Sequence, residues 1–201
     1  MKRIVIIHIF ILLYFAFVAN SPTAFTFLIW NVTLALIPYD LSLVLKWLKF
    51  KPLVFLLSLI WLIFFPNAMY MITDFAHLSA IGTDLSTLDQ FLNYAILASG
   101  IFIGVLLGLA SARMMAERLF SQNMIALWLF YGFLAAVSAF GIYVGRFLRL
   151  NTWDLAMDFA STFKAILASL NEHSLAFVGW FGILQLMLLL FYHYLQDTKK
   201  V

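Results

Sequence analysis

The sequence predicts an all-α membrane protein, a polytopic transmembrane bundle of six helices with one amphipathic helix on the extracytoplasmic side. The 201 residues are 65% hydrophobic and only 10% charged, with a mean hydropathy of +1.03, whereas soluble domains carry roughly 25% charged residues. The hydrophobic residues fall into six runs comparable with the roughly 20 residues that cross a bilayer as a helix. These observations exclude a water-soluble globular domain.

We expect a single transmembrane domain over residues 1–201, because this length allows one bundle rather than two domains. The predicted spans are 4–19, 23–45, 53–73, 91–112, 124–144 and 175–194. The first run also resembles a secretory signal, but Pro22 would lie directly after the best cleavage position, so we expect an uncleaved helix. The chain contains no cysteine, which excludes disulfides and thiolate chemistry.

The third, fourth and fifth spans carry residues that predict how they pack. The third span must continue beyond Pro66 to about Thr73 to cross the bilayer, so we expect Pro66 inside a membrane-embedded helix. The fourth span has a small residue at every fourth position, which lets another helix approach closely. These residues are Gly100, Gly104, Gly108 and Ala112. We expect a similar stripe in the fifth span, formed by Gly132, Ala136 and Gly141.

The segment 152–170, between the fifth and sixth spans, predicts an amphipathic helix. Its apolar residues recur at steps of three and four, which gives the helix one apolar face. Asp154 and Asp158 disfavour a membrane span, so we expect this helix to lie on the membrane surface. Asn151 or Thr152 is the expected N-cap.

The basic residues predict the orientation of the bundle. If both termini are cytoplasmic, nine of the 12 Lys and Arg residues lie inside, as the positive-inside rule requires. The nine are Lys2, Arg3, Lys46, Lys49, Lys51, Arg113, Arg118, Lys199 and Lys200. Arg146, Arg149 and Lys164 then lie outside.

Two polar segments are predicted to meet at the extracytoplasmic surface. Residues 65–77 read FPNAMYMITDFAH at the end of the third span, and residues 145–154 read GRFLRLNTWD at the end of the fifth. An arginine near lipid needs a partner, and Asp74 and Asp154 are the nearest carboxylates in these segments. The two segments together supply the candidate ligand-binding residues Asn67, Tyr70, Asp74, Arg146, Arg149, Asn151 and Asp154.

Three functional interpretations and one structural interpretation stay open for these residues. In the structural one, Arg146 or Arg149 pairs with Asp74 and latches the bundle. In the first functional one, the arginines hold an anionic small molecule or lipid headgroup, which the protein binds or moves. In the second, the protein is a membrane-embedded hydrolase or transferase acting on a lipid-linked substrate, with Asp74 or His77 as base. In the third, it is a non-catalytic partner subunit that associates through the glycine stripe of the fourth span.

The expected ligands and partners follow from the same residues. Asp74 and His77 could supply two ligands to one metal, but no third ligand is identifiable, so we predict no metal site and no cofactor. The expected partners are the lipid bilayer, an anionic lipid or small anion, and a membrane protein or a second copy of the chain. No feature predicts nucleic-acid binding.

Four further polar residues lie within the predicted spans. We expect Asn31 to form an interhelical hydrogen bond with the backbone near the proline of the third span. We expect Asp40 to reach water beside Lys46. His8 and His193 lie among apolar neighbours and are interpreted as packing residues.

Three spaced motifs occur in order, namely WN at 30–31, FPNxxYxxTD at 65–74 and GRFxRxNxWD at 145–154. Together they resemble the motifs of a domain-of-unknown-function family of small bacterial integral membrane proteins. The resemblance covers nearly the whole chain, with Thr152 at a position where the family usually has serine. It implies a multi-pass protein of the bacterial cytoplasmic membrane, and it brings no established activity.

Overall fold

Seven helices form the part of the chain that the computed structural model describes, residues 2–82, 84–120, 123–150 and 157–197. They are α1 (Lys2–Asn20), α2 (Phe27–Trp47), α3 (Lys51–Tyr70), α4 (Leu88–Phe120), α5 (Met124–Tyr143), α6 (Phe159–Ala168) and α7 (Glu172–Asp197). Helix α3 continues as a 3-10 helix, Met71–His77, and one further turn, Leu78–Ile81. Helix α5 continues as a π-helical segment, Val144–Leu148. No strand occurs within these ranges, so the all-α prediction is confirmed.

Six of the helices are long and apolar enough to cross a membrane. They are α1, α2, α3 with its continuation to Ile81, α4, α5 with its continuation to Leu148, and α7. The prediction of six spans is therefore confirmed, and Pro66 lies inside α3 as expected. With ten residues, about 15 Å of helix, α6 is too short to cross a bilayer.

Helix α4 is longer than its predicted span 91–112. Its 33 residues extend for about 50 Å at 1.5 Å per residue. The segment beyond Ala112 was expected to be a loop because it is charged, and that expectation is wrong up to Phe120. Arg113 donates to Glu117 one turn later (2.9 Å) and to Asp197 of α7 (2.7 Å), so its charge is neutralised without leaving the helix.

The glycine stripe of α4 is buried against helices of the same chain. A Cβ at Gly108 would lie 2.9 Å from the Cβ of Ala68 in α3, and one at Gly100 would lie 3.2 Å from Leu28 in α2. Gly104 packs equally closely on Met71, in the 3-10 helix. The close packing predicted for this stripe is therefore found inside the chain. The stripe is not available to a partner subunit, and that part of the third functional interpretation is wrong.

Buried hydrogen bonds connect the helices that surround α4. The Trp61 indole of α3 donates to the Ser111 hydroxyl of α4 (2.7 Å), and Ser111 donates to the carbonyl of Pro38 in α2 (2.8 Å). Tyr14 of α1 donates to the carbonyl of Ile96 in α4 (3.1 Å). Because a hydrocarbon layer offers no water, such internal partners are required wherever a polar group is buried at membrane depth.

The two intramembrane histidines take part in hydrogen bonds rather than in packing alone. The His193 Nδ1 lies 2.9 Å from the hydroxyl of Tyr131, and its Nε2 lies 3.4 Å from Asp197. The His8 Nε2 lies 3.2 Å from the carboxylate of Asp40. Asp40 was expected to extend towards water beside Lys46, whereas its partner is a histidine of the neighbouring helix.

Two glycines of α5 provide a matched pair for a test of packing. A Cβ at Gly141 would lie 2.8 Å from the rigid ring of Pro66, whereas a Cβ at Gly132 would meet no atom within 4 Å. Gly132 is therefore not part of a close-packed stripe, and the stripe predicted for the fifth span is wrong at this position.

We predict that Gly141→Ala lowers the free energy of unfolding by about 1–3 kcal/mol, because the added methyl group overpacks the contact with α3. Gly132→Ala is expected to be neutral or stabilising by up to about 1 kcal/mol, because alanine favours the helix. Thermal unfolding of both variants in the same detergent checks the pair. Equal effects of the two substitutions would contradict the predicted contact.

Candidate functional site

A cavity of about 230 Å³ lies where α2, α3, the end of α5 and α6 meet. From α2 it is lined by Trp30 and Asn31, and from α3 by Pro66, Asn67 and Tyr70. The end of α5 and the segment after it contribute Gly141, Gly145 and Leu150, and α6 contributes Thr162 and Ile166. All three sequence motifs therefore reach the wall of one cavity.

The α3 wall of the cavity forms at the point where the helix changes its geometry. Pro66 cannot donate a backbone hydrogen bond, so the carbonyl one turn earlier is freed. The Asn67 amide donates to the carbonyl of Phe64 (3.1 Å), and the Thr73 hydroxyl donates to that of Tyr70 (2.8 Å). The side chains thus bind the local backbone while the chain tightens into the 3-10 helix.

Asp74 is separated from Asn67 and Tyr70 by this change of geometry. Its side chain is 1% exposed, and it is not among the described residues that line the cavity. The Asn31 side-chain amide donates to the Asp74 carboxylate at 2.9 Å. Asn31 itself lines the cavity, so it connects the cavity wall to the buried acid. We expected Asn31 to bind the backbone near Pro66, and its partner is this carboxylate instead.

Arg146 is half-buried and lies near Asp74 without forming an ion pair with it. Its positive charge acts on the Asp74 carboxylate. Within the described part of the chain, however, no hydrogen bond and no ion pair within 4.0 Å involves the Arg146 guanidinium. The predicted latch between Arg146 and Asp74 is therefore not formed, because Asn31 is the bonded partner of the acid.

Arg149 ends the π-helical segment in a left-handed backbone conformation, with φ of 55°. Its side chain is exposed, and it does not line the cavity, although its neighbour Leu150 does. The remaining two members of the predicted set, Asn151 and Asp154, lie outside the described residues.

His77 packs away from the cavity lining. Its ring centroid lies 4.9 Å from that of Phe27 and 6.2 Å from that of Phe25, both on the α2 side of the bundle. The described residues contain no group of three His, Cys, Asp or Glu side chains that could hold a metal ion. His77, the second candidate base, therefore contacts aromatic rings.

Helix α6 closes the cavity with the side that carries Thr162 and Ile166. Thr162 is 4% exposed and faces inward, whereas Phe159, Phe163 and Leu167 remain exposed. Exposed apolar side chains of this kind are suited to the lipid interface, and the position of this helix on the membrane surface stays a prediction. The cavity contribution of Thr162 was missed, although its place on the polar side of the helical pattern could have revealed it.

The N-cap of α6 is Asp158, whose carboxylate accepts from the Ser161 backbone N–H at 3.2 Å. The Ser161 side chain and backbone, by hydrogen bonding to the ionised form, lower the pKa of Asp158 below its usual value. The Asp158 carboxylate therefore caps the N-terminus of α6. The N-caps predicted for 152–170, Asn151 and Thr152, lie outside the described residues.

Six apolar spans define an all-α, multi-pass membrane protein, and a cavity with both polar and apolar lining residues lies where α2, α3, α5 and α6 meet. A family model described as "Protein of unknown function (DUF1361)" matches residues 30–188, and the chain belongs to that family. The matched range begins at Trp30 and contains the three motifs that form the cavity wall. Neither a curated protein nor a solved structure matches the chain.

The contact between Asn31 and Asp74 can be measured with a double-mutant cycle. We predict that Asn31→Leu lowers the free energy of unfolding by about 1–3 kcal/mol, because it leaves a buried carboxylate without its donor. Replacing both residues by leucine should cost less than the sum of the single replacements. Unfolding in mixed micelles gives the four values.

Thr33→Val provides the control for this cycle. The Thr33 hydroxyl binds only the carbonyl of Ile29 in its own helix, at 2.7 Å, so this variant should change the stability by less than about 0.5 kcal/mol. Additive effects of the Asn31 and Asp74 substitutions would show that the two side chains do not interact.

Proposed function

We propose that the protein binds an anionic headgroup, of the phosphate or carboxylate type, in the cavity between α2, α3, α5 and α6. The observation that carries this proposal is the half-buried Arg146, which lies next to the cavity residue Gly145 and has no bonded partner within the described part of the chain. A guanidinium held near lipid is costly unless an anion accompanies it. Because Asn31, and not Arg146, is the hydrogen-bonded partner of Asp74 among the described residues, we take an external anion as the partner of the Arg146 guanidinium.

The composition of the cavity wall suits a headgroup rather than a bare ion. Trp30, Asn31, Asn67 and Tyr70 present indole, amide and phenol groups, which can bind the neutral hydroxyl or ester oxygens of a ligand. The volume of about 230 Å³ is below the roughly 300–1,000 Å³ of pockets that enclose a whole small molecule. A ligand whose polar end enters the cavity while its apolar end stays in the bilayer fits this size.

Position supports the same class of ligand. Helix α6 lines the cavity with Thr162 and Ile166 and exposes Phe159 and Phe163 on its other side. An amphiphile could therefore place its headgroup behind α6 and its chains beside the exposed phenylalanines. His77, one of the two candidate bases, is not among the described residues that line the cavity. We therefore do not propose the hydrolase or transferase interpretation.

We predict that Arg146→Ala weakens the binding of an anionic headgroup by about tenfold to a hundredfold, the range expected for one charge-assisted hydrogen-bonded contact. The probe is a short-chain phosphatidylglycerol with a photoreactive headgroup, added to the full-length protein in neutral detergent. The readout is the probe concentration that gives half-maximal labelling of residues 141–150. A phosphatidylcholine of the same chain length should label this segment weakly.

Lys164→Ala is the control for this variant, because it removes an exposed positive charge from α6 without touching the cavity lining. It should label like the unmodified protein. If Arg146→Ala labels normally, the proposal is wrong. If Arg146→Ala fails to fold while Lys164→Ala folds, Arg146 acts as a structural latch instead.

We further predict that Gly145→Leu blocks the labelling while the protein keeps its stability. A Cβ at Gly145 would have its nearest neighbours at 3.8–3.9 Å, at the carbonyl of Leu150 and the ring of Tyr70, so a side chain can enter the cavity. Gly132→Leu is the matched control, since it adds the same side chain to α5 at a position with no atom within 4 Å. Normal labelling of a folded Gly145→Leu variant would show that the headgroup binds elsewhere.

A further inference from the structure

A second cavity, of about 680 Å³, lies at the other end of the bundle, between the last turn of α2, the first turn of α3 and the end of α4. Four cationic side chains line it, those of Lys46, Lys49, Lys51 and Arg118. No described lining residue is acidic, and none of the ion pairs in the described part of the chain involves these four. The cavity therefore concentrates positive charge that no carboxylate of the described residues neutralises.

Arg118 gives this charged turn a defined shape. Its guanidinium donates to the carbonyls of Leu45 and of Leu48, the latter at 2.8 Å. These carbonyls belong to the C-terminal end of α2, where the helix leaves backbone acceptors unsatisfied. The turn that carries Lys46, Lys49 and Lys51 is thus fixed to α4, so the lysines are held around one space.

The rest of the cavity wall is apolar and open to the surroundings. Trp47 is 78% exposed and Phe55 is 67% exposed, and both line the cavity together with Val54 and Leu119. Tryptophan beside lysine is typical of the zone between the headgroups and the hydrocarbon of a bilayer. The Nζ of Lys46 lies 5.9 Å from the centre of the Trp47 ring, which places charge and aromatic surface side by side.

We propose that this cavity binds an anionic phospholipid of the surrounding bilayer. The lysines would hold the phosphate, while Phe55 and Leu119 would contact the first part of an acyl chain. Basic pockets between membrane helices suit such headgroups by charge, and the apolar wall distinguishes this one from a site for a small anion. The proposal is independent of the function proposed above, because Trp30 and Lys46 lie about 24 Å apart along α2.

The test uses the full-length protein in neutral detergent and the same photoreactive phosphatidylglycerol, with the labelling of residues 46–58 as the readout. The triple variant Lys46→Gln, Lys49→Gln, Lys51→Gln should raise the half-maximal concentration about tenfold to a hundredfold. The control, Lys2→Gln, Arg3→Gln, Lys164→Gln, removes the same charge elsewhere and should label normally. Gly145→Leu, which fills the first cavity, should also label this segment normally.

A variant that leaves the charge unchanged and a competition experiment complete the test. Ser58 lines the apolar part of the cavity, so Ser58→Phe should reduce labelling at least tenfold without any change of charge. Inorganic phosphate should fail to compete with the probe at concentrations where unlabelled phosphatidylglycerol competes. The proposal would be overturned by normal labelling of the lysine variant or of Ser58→Phe. It would also be overturned if phosphatidylcholine labelled equally, or if inorganic phosphate alone competed.

Discussion

The hydrogen bond between Asn31 and Asp74 is the interaction on which the candidate site depends. At membrane depth a buried carboxylate must find its donors inside the protein, because lipid supplies none. Asn31 provides that donor at 2.9 Å and so joins α2 to the 3-10 helix that follows α3. It also occupies one oxygen of Asp74, an acid that was predicted to pair with Arg146. Within the described residues the Arg146 guanidinium then has no bonded partner, and this is the basis for proposing an external anion.

The same requirement for internal partners divides the charged residues at the opposite end of the bundle into two groups. Arg113 is bound by Glu117, by Asp197 and by a carbonyl of α7, so its charge serves to attach α7 to α4. Among the residues that the structure describes, no acid pairs with the lysines around the second cavity. The requirement is not met everywhere, since Ser138 and Gln185 are buried without a hydrogen-bond partner within the described structure. Ser138 lies in α5 and Gln185 in α7, and neither residue lines one of the two cavities.

Hydropathy alone was sufficient to predict the number of spans, because the length of an apolar run directly reports the thickness of the bilayer. The contacts of the site were harder to predict. At 3.6 residues per turn, the spacing of Asn67, Tyr70 and Asp74 would place the three side chains on one face of a helix. The chain instead changes to a 3-10 helix at Met71, with about three residues per turn, and the face is divided at that point. Asp74 lies in this 3-10 segment and accepts from Asn31, and no periodicity in the sequence indicates the local change of geometry.

The backbone after α5 offers an independent reason to regard the cavity as functional. Val144–Leu148 is π-helical and Arg149 has a φ of 55°, a left-handed conformation that costs a residue with a side chain roughly 1–2 kcal/mol. π-helical segments are rare and occur often at functional sites. If stability alone determined this segment, a regular helical end with a glycine cap would be the cheaper solution. The distortion instead places Gly145 and Leu150 on the cavity wall. A backbone arrangement that costs energy and shapes the wall of a cavity is better explained by a ligand than by packing.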